Sequence, residues 1–253
     1  MKLNYKRFGE GEPLLILHGL MGMLDNWQGP AKTYSQNFDT IIIDARNHGH
    51  SVHSEEFNYQ SMMDDVVELC EDLFLDEVHV LGHSMGGKIA MKFAQNYPEM
   101  IKKLVVADIA PKAYPVHHQQ ILAGLKSLDF SLLKSRGAVD ATLEPFIPEL
   151  GVRQFLMKSI YWEEKGKLGL RFNVDAIDKN IELIGEATLD SQFEGETMFI
   201  RGANSNYISD RDFEDIKLAF PNSTIETIQG AGHWLHAEKP KEFLEKTIGF
   251  LKS

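Results

Sequence analysis

Gly82-His83-Ser84-Met85-Gly86-Gly87 is the most informative stretch of this 253-residue chain. It follows a short apolar run, Val78–Leu81, and leads into a segment with helical spacing that stops at Pro98. A serine on a sharp turn from strand to helix, with glycines two positions before and after it, has the context of a nucleophile motif. The turn strains the backbone of the serine, and the glycines leave room for neighbouring backbone. We therefore predict that Ser84 is a nucleophile.

Apolar runs of strand length alternate with helical patterns on both sides of this motif. The runs cover residues 14–17, 40–43, 78–81, 104–106 and 198–200, and residues 223–228 are also strand-like. Apolar residues recur at helical spacing over residues 63–73 and 86–97, and a closing helix is expected after Pro240. This alternation predicts an α/β fold with a mostly parallel sheet that helices cover on both faces. Such a sheet carries its functional groups beyond the carboxyl ends of its strands.

The alternation stops between residues 112 and 190. This segment lacks β-rich runs, and its apolar residues suggest helices; they include Leu122, Leu125, Leu128, Leu132, Phe155, Leu156, Ile160 and Trp162. We predict a core formed by residues 1–111 and 191–253, with a helical cap inserted at residues 112–190. A separate helical domain is the alternative.

A serine nucleophile needs a base within hydrogen-bond reach, and His233 is the best candidate among ten histidines. It lies in the glycine-rich turn Gly230–Trp234, after the last strand and before the last helix. A loop in that place can fold back over the nucleophile. His236 is the rival, but we expect it to begin the helical segment.

The acid that orients the base should fall between the serine and the histidine in the chain. The loop after residues 198–200 is its common place, but Asn206 stands there where an aspartate is expected. An asparagine brings no charge to stabilise an imidazolium. Asp108 lies just after the strand at residues 104–106, which we expect beside the strand of the nucleophile. We therefore predict that Asp108 is the acid. Asp210 is the alternative, although Ser209-Asp210 has the pattern of a helix N-cap.

Two backbone amides are expected to stabilise the negative charge that forms on a substrate oxygen. One is the amide after the nucleophile, Met85, and the other is Leu20 in the loop that follows residues 14–17. We expect His18 to brace that loop rather than act as a base. Candidate substrate-binding residues are Trp27, Tyr207 and Trp234, although large aromatic side chains are also common in cores.

Residues 18–22, 44–51, 82–87 and 232–233 together resemble the α/β-hydrolase family over nearly the whole chain. Residues 44–51, 108–111 and 151–156 resemble the small YbfF-type esterases and their eukaryotic abhydrolase relatives. The resemblance implies the α/β-hydrolase fold with a helical cap, and esterase or acyl-thioesterase activity. It also implies an acid after the strand that follows the nucleophile helix, which matches Asp108. We expect residues 44–51 to form a hydrogen-bonded loop beneath the site.

The predicted reaction is a two-step acyl transfer on small acyl esters or acyl thioesters, without a metal or organic cofactor. A carbon–carbon bond hydrolase and a non-catalytic ligand receptor remain the alternatives. Dehalogenases and epoxide hydrolases of this fold attack with a carboxylate, so Ser84 argues against both. Residues 126–171 carry eight Lys and Arg against six Asp and Glu, which suits either a phosphate-bearing leaving group such as coenzyme A or a plain solvated surface.

Composition limits the partners. The net charge of −11 disfavours binding to nucleic acid and to anionic membranes. The single cysteine, Cys70, allows neither an internal disulfide nor a thiolate zinc site. The N-terminal residues show no apolar segment of signal-peptide length, so a cytoplasmic protein is expected. The sequence carries no signal for an oligomeric state.

Overall fold

The computed structural model describes residues 1–188 and 191–253, and its centre is a seven-stranded sheet. The strands of this sheet are β1 (Tyr5–Phe8), β2 (Pro13–Leu17), β3 (Asp39–Ile43), β4 (Val78–His83), β5 (Ile101–Ala107), β8 (Thr197–Gly202) and β9 (Ser223–Ile228). Strands β6 (Ile160–Glu164) and β7 (Lys167–Leu170) form a separate two-stranded sheet. The helices are α1 (Gln28–Tyr34), α2 (Tyr59–Asp72), α3 (Met85–Asn96), α4 (Gln119–Lys126), α5 (Arg136–Leu143), α6 (Leu150–Met157), α7 (Val174–Lys179), α8 (Ile181–Ile184), α9 (Phe213–Ala219), α10 (Leu235–Glu238) and α11 (Pro240–Lys252).

The strand order in the sheet is β1-β3-β2-β4-β5-β8-β9. Neighbouring strands are parallel, except that β1 and β3 are antiparallel. The predicted mostly parallel α/β fold is confirmed. Sequence patterning missed β1, because this edge strand reads Tyr-Lys-Arg-Phe and is largely exposed. Charged residues are common on edge strands, where they discourage pairing with another chain.

Both faces of the sheet are buried. Leu14 and Ile16 of β2 belong to one apolar cluster, and Leu15 and Leu17 belong to the other, since successive side chains on a strand point to opposite faces. Helices α1, α10 and α11 contribute to the first cluster, whereas α2, α3 and α9 contribute to the second. The predicted cover on two faces is therefore confirmed.

The segment between β5 and β8 contains α4–α8 and also a β-hairpin, β6–β7. The expectation that Ile160 and Trp162 are helical is wrong, because both lie in β6. A tight turn pairs Glu164 with Lys167 and places Gly166 at φ +85°, a conformation that favours glycine. The division into a core and an inserted cap stays a prediction, and its boundary at residue 190 lies outside the described residues.

Leu128 and Leu132 also lie outside helices, in the irregular stretch between α4 and α5. Across residues 1–188 and 191–253, no helix has the length and apolar character needed to cross a bilayer.

Candidate active site

Ser84 lies at the junction of β4 and α3 with φ 53° and ψ −119°, outside the regions that L-residues usually occupy. Space around it depends on two glycines. A Cβ atom on Gly82 would lie 2.2 Å from the carbonyl oxygen of Gly86, and one on Gly86 would lie 2.3 Å from that of Leu17. The strained turn and the need for glycine on either side are therefore as the motif predicts.

Asp108 immediately follows β5 and is fully buried, with φ 53°. Its Oδ2 atom lies 2.8 Å from Nδ1 of His233. The Gly202 amide donates to its Oδ1 atom at 3.1 Å, and the Ser205 hydroxyl donates to Oδ2. A buried carboxylate needs such partners, because an unpaired charge away from water is costly. Three donors thus hold Asp108 in place, and one of them is the predicted base.

The His233 ring is held from two further directions. Tyr207 stacks on it, with ring centroids 4.0 Å apart and planes 19° apart. The backbone oxygen of His233 lies 2.9 Å from Nε2 of His83, the residue before the nucleophile. Burial holds the pKa of His83 well below its usual value, so this ring is neutral and donates through Nε2 to the carbonyl oxygen. The loop that carries His233 is thereby tied to the end of β4.

Ser84 and His233 line the same cavity of about 610 Å³. Because Asp108 occupies Nδ1 of His233, Nε2 is the nitrogen left to accept a proton. Within the described residues, no hydrogen bond joins the Ser84 hydroxyl to this ring. Contacts between a nucleophile and its base are often long before substrate binds and tighten afterwards.

The alternative acid, Asp210, lies elsewhere. Its side chain is 81% exposed, and its Oδ1 atom lies 2.7 Å from Nη2 of Arg201. It begins a short 3₁₀ turn, Asp210–Asp212, in which Ser209 and Asp212 cap each other. The structure therefore brings Asp108 to His233 and leaves Asp210 at the surface.

The loop at residues 18–22 approaches the nucleophile closely. A Cβ atom on Gly19 would lie 3.3 Å from Cβ of Ser84. His18 donates through Nδ1 to the Gly19 oxygen at 2.8 Å and accepts the Ala45 amide at Nε2, 3.0 Å away. Burial lowers the pKa of His18, so the neutral ring that these bonds require is favoured. His18 braces the loop, as predicted.

His48 supports the same loop from the other side. Its Nε2 atom accepts the Met21 amide at 3.0 Å, and its Nδ1 atom donates to the Arg46 oxygen at 2.9 Å. Burial lowers the pKa of His48 to about 3, which keeps the ring neutral. Leu20 thus lies between two braced positions and lines the cavity next to Ser84. Met85 is the first residue of α3, so its amide has no partner within the helix.

Residues 44–51 form the hydrogen-bonded loop that was expected. Asp44 accepts the Leu24 amide at 2.7 Å and the His50 amide at 2.9 Å. Arg46 pairs with the buried Asp65 at 2.6 Å, which ties the loop to α2. No member of this loop lines the large cavity in the described part of the chain.

The three aromatic candidates for substrate binding all line the large cavity. Trp27 is almost completely buried and stacks on His236, with ring centroids 4.3 Å apart. It therefore forms a fixed part of the cavity wall. Trp234 lies against Phe155 of α6 at 5.4 Å. His236, the rival base, lies in α10, and burial lowers its pKa to about 3.

Sequence reasoning missed two polar residues of this site. Ser205 lies in the loop after β8, the place where an acid was sought, and donates to Asp108. His83 stands inside the nucleophile motif itself and carries the hydrogen bond to the His233 loop. Position in the motif could have drawn attention to His83, whereas a lone serine in a polar loop gives no pattern.

The chain is similar to known proteins in sequence and in structure. The family model for the alpha/beta hydrolase fold matches residues 12–131. A Danio rerio protein named sn-1-specific diacylglycerol lipase ABHD11 is 37% identical over 100% of this chain and 83% of its own length. Esterase YbfF of Escherichia coli is 36% identical over 99% of both proteins. The solved structure of a marine microorganism esterase superposes with a TM-score of 0.96, at 42% identity over 98% of this chain and 99% of that one.

Proposed function

The chain belongs to the α/β-hydrolase family and is of the YbfF type, and from this premise we propose that it is a carboxylic ester hydrolase with Ser84 as its nucleophile. In this proposal His233 is the general base and Asp108 is the acid that orients it. Small acyl esters are the substrates, and acyl thioesters are further candidates because the same attack cleaves them. The relatives named as an esterase and as a diacylglycerol lipase support ester hydrolysis.

The first chemical step forms an acyl-enzyme. The Ser84 oxygen attacks the carbonyl carbon of the ester while its proton passes to Nε2 of His233. The tetrahedral intermediate collapses when the protonated imidazole gives this proton to the leaving oxygen. Water, deprotonated by the same ring, then attacks the acyl group and releases the acid and free Ser84. No metal ion is needed for either step.

Charge develops at two places during this reaction. The substrate oxygen becomes negative, and the Leu20 and Met85 amides are proposed to donate to it. The His233 ring becomes positive, and the buried carboxylate of Asp108, 2.8 Å from Nδ1, stabilises it. That single contact, in a cavity that Ser84 also lines, carries the proposal.

The proposal is tested by hydrolysis of p-nitrophenyl butyrate and acetyl-coenzyme A with the wild type and Ser84→Ala. We expect ester turnover by the wild type and a loss of about 10⁴-fold or more in the variant, since residual catalysis without the nucleophile is small. Circular dichroism of both proteins controls for folding. Labelling of the wild type, but not of Ser84→Ala, by a fluorophosphonate is the matching covalent readout.

Other outcomes would point to the alternative functions. Turnover that survives Ser84→Ala would remove the proposed nucleophile. A folded wild type that neither hydrolyses esters nor reacts with the fluorophosphonate would favour a receptor. Cleavage of a β-diketone without cleavage of esters would favour a carbon–carbon bond hydrolase.

A further inference from the structure

Ser84 stands at the boundary of two cavities of very different size. One has a volume of about 610 Å³ and the other about 50 Å³. Ser84, Leu20 and Tyr207 line both cavities, so a group attached to the serine oxygen can reach either. An ester has two sides, the acyl group and the leaving group, and the two cavities provide two places for them.

The position of His233 decides which cavity takes the leaving group of the ester and which takes the acyl group. His233 lines the large cavity, and Met85 lines the small one. The leaving oxygen must come within reach of the imidazole that protonates it, so the leaving group extends into the large cavity. The acyl group, on the other side of the carbonyl carbon, then faces the small cavity. We propose that the small cavity is the acyl pocket and that the enzyme cleaves short acyl groups from bulky leaving groups.

The volume sets the length of the acyl chain. A space for one water-sized group takes about 10–15 Å³, so the small cavity of about 50 Å³ holds a tail of about three to five carbon atoms. The large cavity of about 610 Å³ lies within the range of sites that enclose whole small molecules. This inference rests on the proposed ester hydrolysis and adds the substrate class to it.

Two tyrosines that line the small cavity, Tyr59 and Tyr114, form what we call its floor, and hydrogen bonds hold both in place. The Tyr59 hydroxyl donates to the backbone oxygen of Ile184 at 2.7 Å, and the Tyr114 hydroxyl donates to the backbone oxygen of Tyr207 at 2.6 Å. Burial raises the pKa of both phenols, so both stay neutral donors. A longer acyl chain would have to break these bonds in order to open the floor, and that cost favours short chains.

Lys88 of α3 lies close to the rings of both tyrosines that form this floor. Its side chain is buried, and Nζ lies 5.8 Å from the centroid of Tyr59 and 5.2 Å from that of Tyr114. The same atom donates to the backbone oxygen of Lys112 at 2.7 Å and to that of Glu186. The two tyrosine rings therefore cannot move back without disturbing a buried, hydrogen-bonded lysine.

Two substrate series test the assignment. The acyl series is p-nitrophenyl acetate, butyrate, octanoate and laurate, and the alcohol series is ethyl, benzyl and naphthylmethyl butyrate, whose alcohols have similar leaving ability. For the wild type we expect kcat/KM to fall about tenfold or more from butyrate to octanoate, because each misplaced methylene carries a measurable cost. Bulk in the alcohol should leave kcat/KM within about threefold.

Three variants locate the effect. Ile181 and Val116 line the small cavity, and Val152 lines the large one. Ile181→Ala enlarges the acyl pocket and should recover octanoate turnover by about tenfold relative to butyrate. Val116→Phe fills the pocket and should lose butyrate while keeping acetate. Val152→Phe narrows the large cavity; as the matched control it should lower kcat/KM for naphthylmethyl butyrate relative to ethyl butyrate and leave the ratio of octanoate to butyrate unchanged.

The results that would overturn the assignment are distinct from those that would overturn the esterase proposal. A flat acyl series in the wild type, with normal sensitivity to Ser84→Ala, would refute the acyl pocket alone. So would an Ile181→Ala variant that changes preference for the alcohol and leaves the acyl profile intact. Absence of any turnover that depends on Ser84 would remove both proposals together.

Discussion

The Nδ1 atom of His233 and the Oδ2 atom of Asp108 lie 2.8 Å apart, although 125 positions separate the two residues in the chain. The sheet explains this meeting. The amide of Ser84 donates to the Ala107 oxygen at 3.0 Å, and the amide of Asp108 donates to the Ile200 oxygen at 2.8 Å. The ends of β4, β5 and β8 therefore lie side by side, and the groups that follow them face one site.

The first prediction separates the two candidate acids. Asp108→Asn should lower kcat on p-nitrophenyl butyrate by about 10⁴-fold, because the amide cannot stabilise the imidazolium and can favour the wrong tautomer of His233. Asp210→Asn should stay within about twofold, because its exposed ion pair with Arg201 contributes little. Steady-state kinetics of both variants is the measurement. Loss of activity only in Asp210→Asn would transfer the role of the acid to that residue.

The second prediction concerns Ser205, which donates to the same Oδ2 atom that contacts His233. Ser205→Ala removes a hydrogen bond to a buried carboxylate, a contact worth about 1.5–3 kcal/mol. We expect kcat to fall about tenfold to a hundredfold with KM unchanged, because Ser205 acts through Asp108 and does not contact substrate. Ser205→Thr keeps the hydroxyl and should restore most of kcat. A rise in KM or a failure of threonine to rescue would contradict this positioning role.

The sequence predicted the central strands, the nucleophile turn and the meeting of Asp108 with His233. These features have strong local signals, because a buried parallel strand needs an apolar run and the turn at Ser84 needs glycine. The edge strand β1 was missed since exposed charged residues give no apolar alternation. The hairpin β6–β7 was missed because the short segment Lys165-Gly166 is a weak turn signal inside a region of helical appearance.

Contacts between distant loops were also beyond the sequence. Ser205 reaches Asp108 because β8 pairs with β5. The sequence of a strand does not show which other strand it pairs with. Tyr59 of α2 and Ile181 of α8 both line the small cavity beside Ser84. Neither residue belongs to a motif, so only the assembled fold reveals that they share a pocket.

The third prediction compares two glycines in helices. A Cβ atom on Gly86 would lie 2.3 Å from the Leu17 oxygen and 2.6 Å from the His18 oxygen, and backbone cannot move aside cheaply. Gly86→Ala should therefore destabilise the protein by about 1–3 kcal/mol and displace the residues around Ser84. Gly249 of α11 has open space, so Gly249→Ala should stabilise the fold by about 0.5–1 kcal/mol. Urea unfolding of both variants checks the contrast, and equal effects would contradict it.

The fourth prediction concerns the pH dependence of stability. Burial lowers the pKa of Lys88 to about 7, whereas a lysine in an unfolded chain titrates near its ordinary pKa of 10.5. Between these values the unfolded chain binds more protons than the folded protein, so stability rises with pH. The gain is complete above the unfolded pKa and is lost as the pH falls towards about 7. Its slope is about 1.4 kcal/mol per pH unit.

Lys88→Met isolates this contribution. The variant leaves the backbone oxygens of Lys112 and Glu186, which accept part-buried hydrogen bonds, without their donor. This loss costs up to about 1–3 kcal/mol for an acceptor that water does not reach. The variant also removes the titrating group, so the difference in unfolding free energy between wild type and variant should grow by roughly 2–3 kcal/mol from about pH 7 to about pH 9. Urea unfolding of both proteins at the two pH values measures it. A difference that stays constant would mean that the two carbonyl oxygens and the tyrosine rings keep Lys88 protonated in the folded protein.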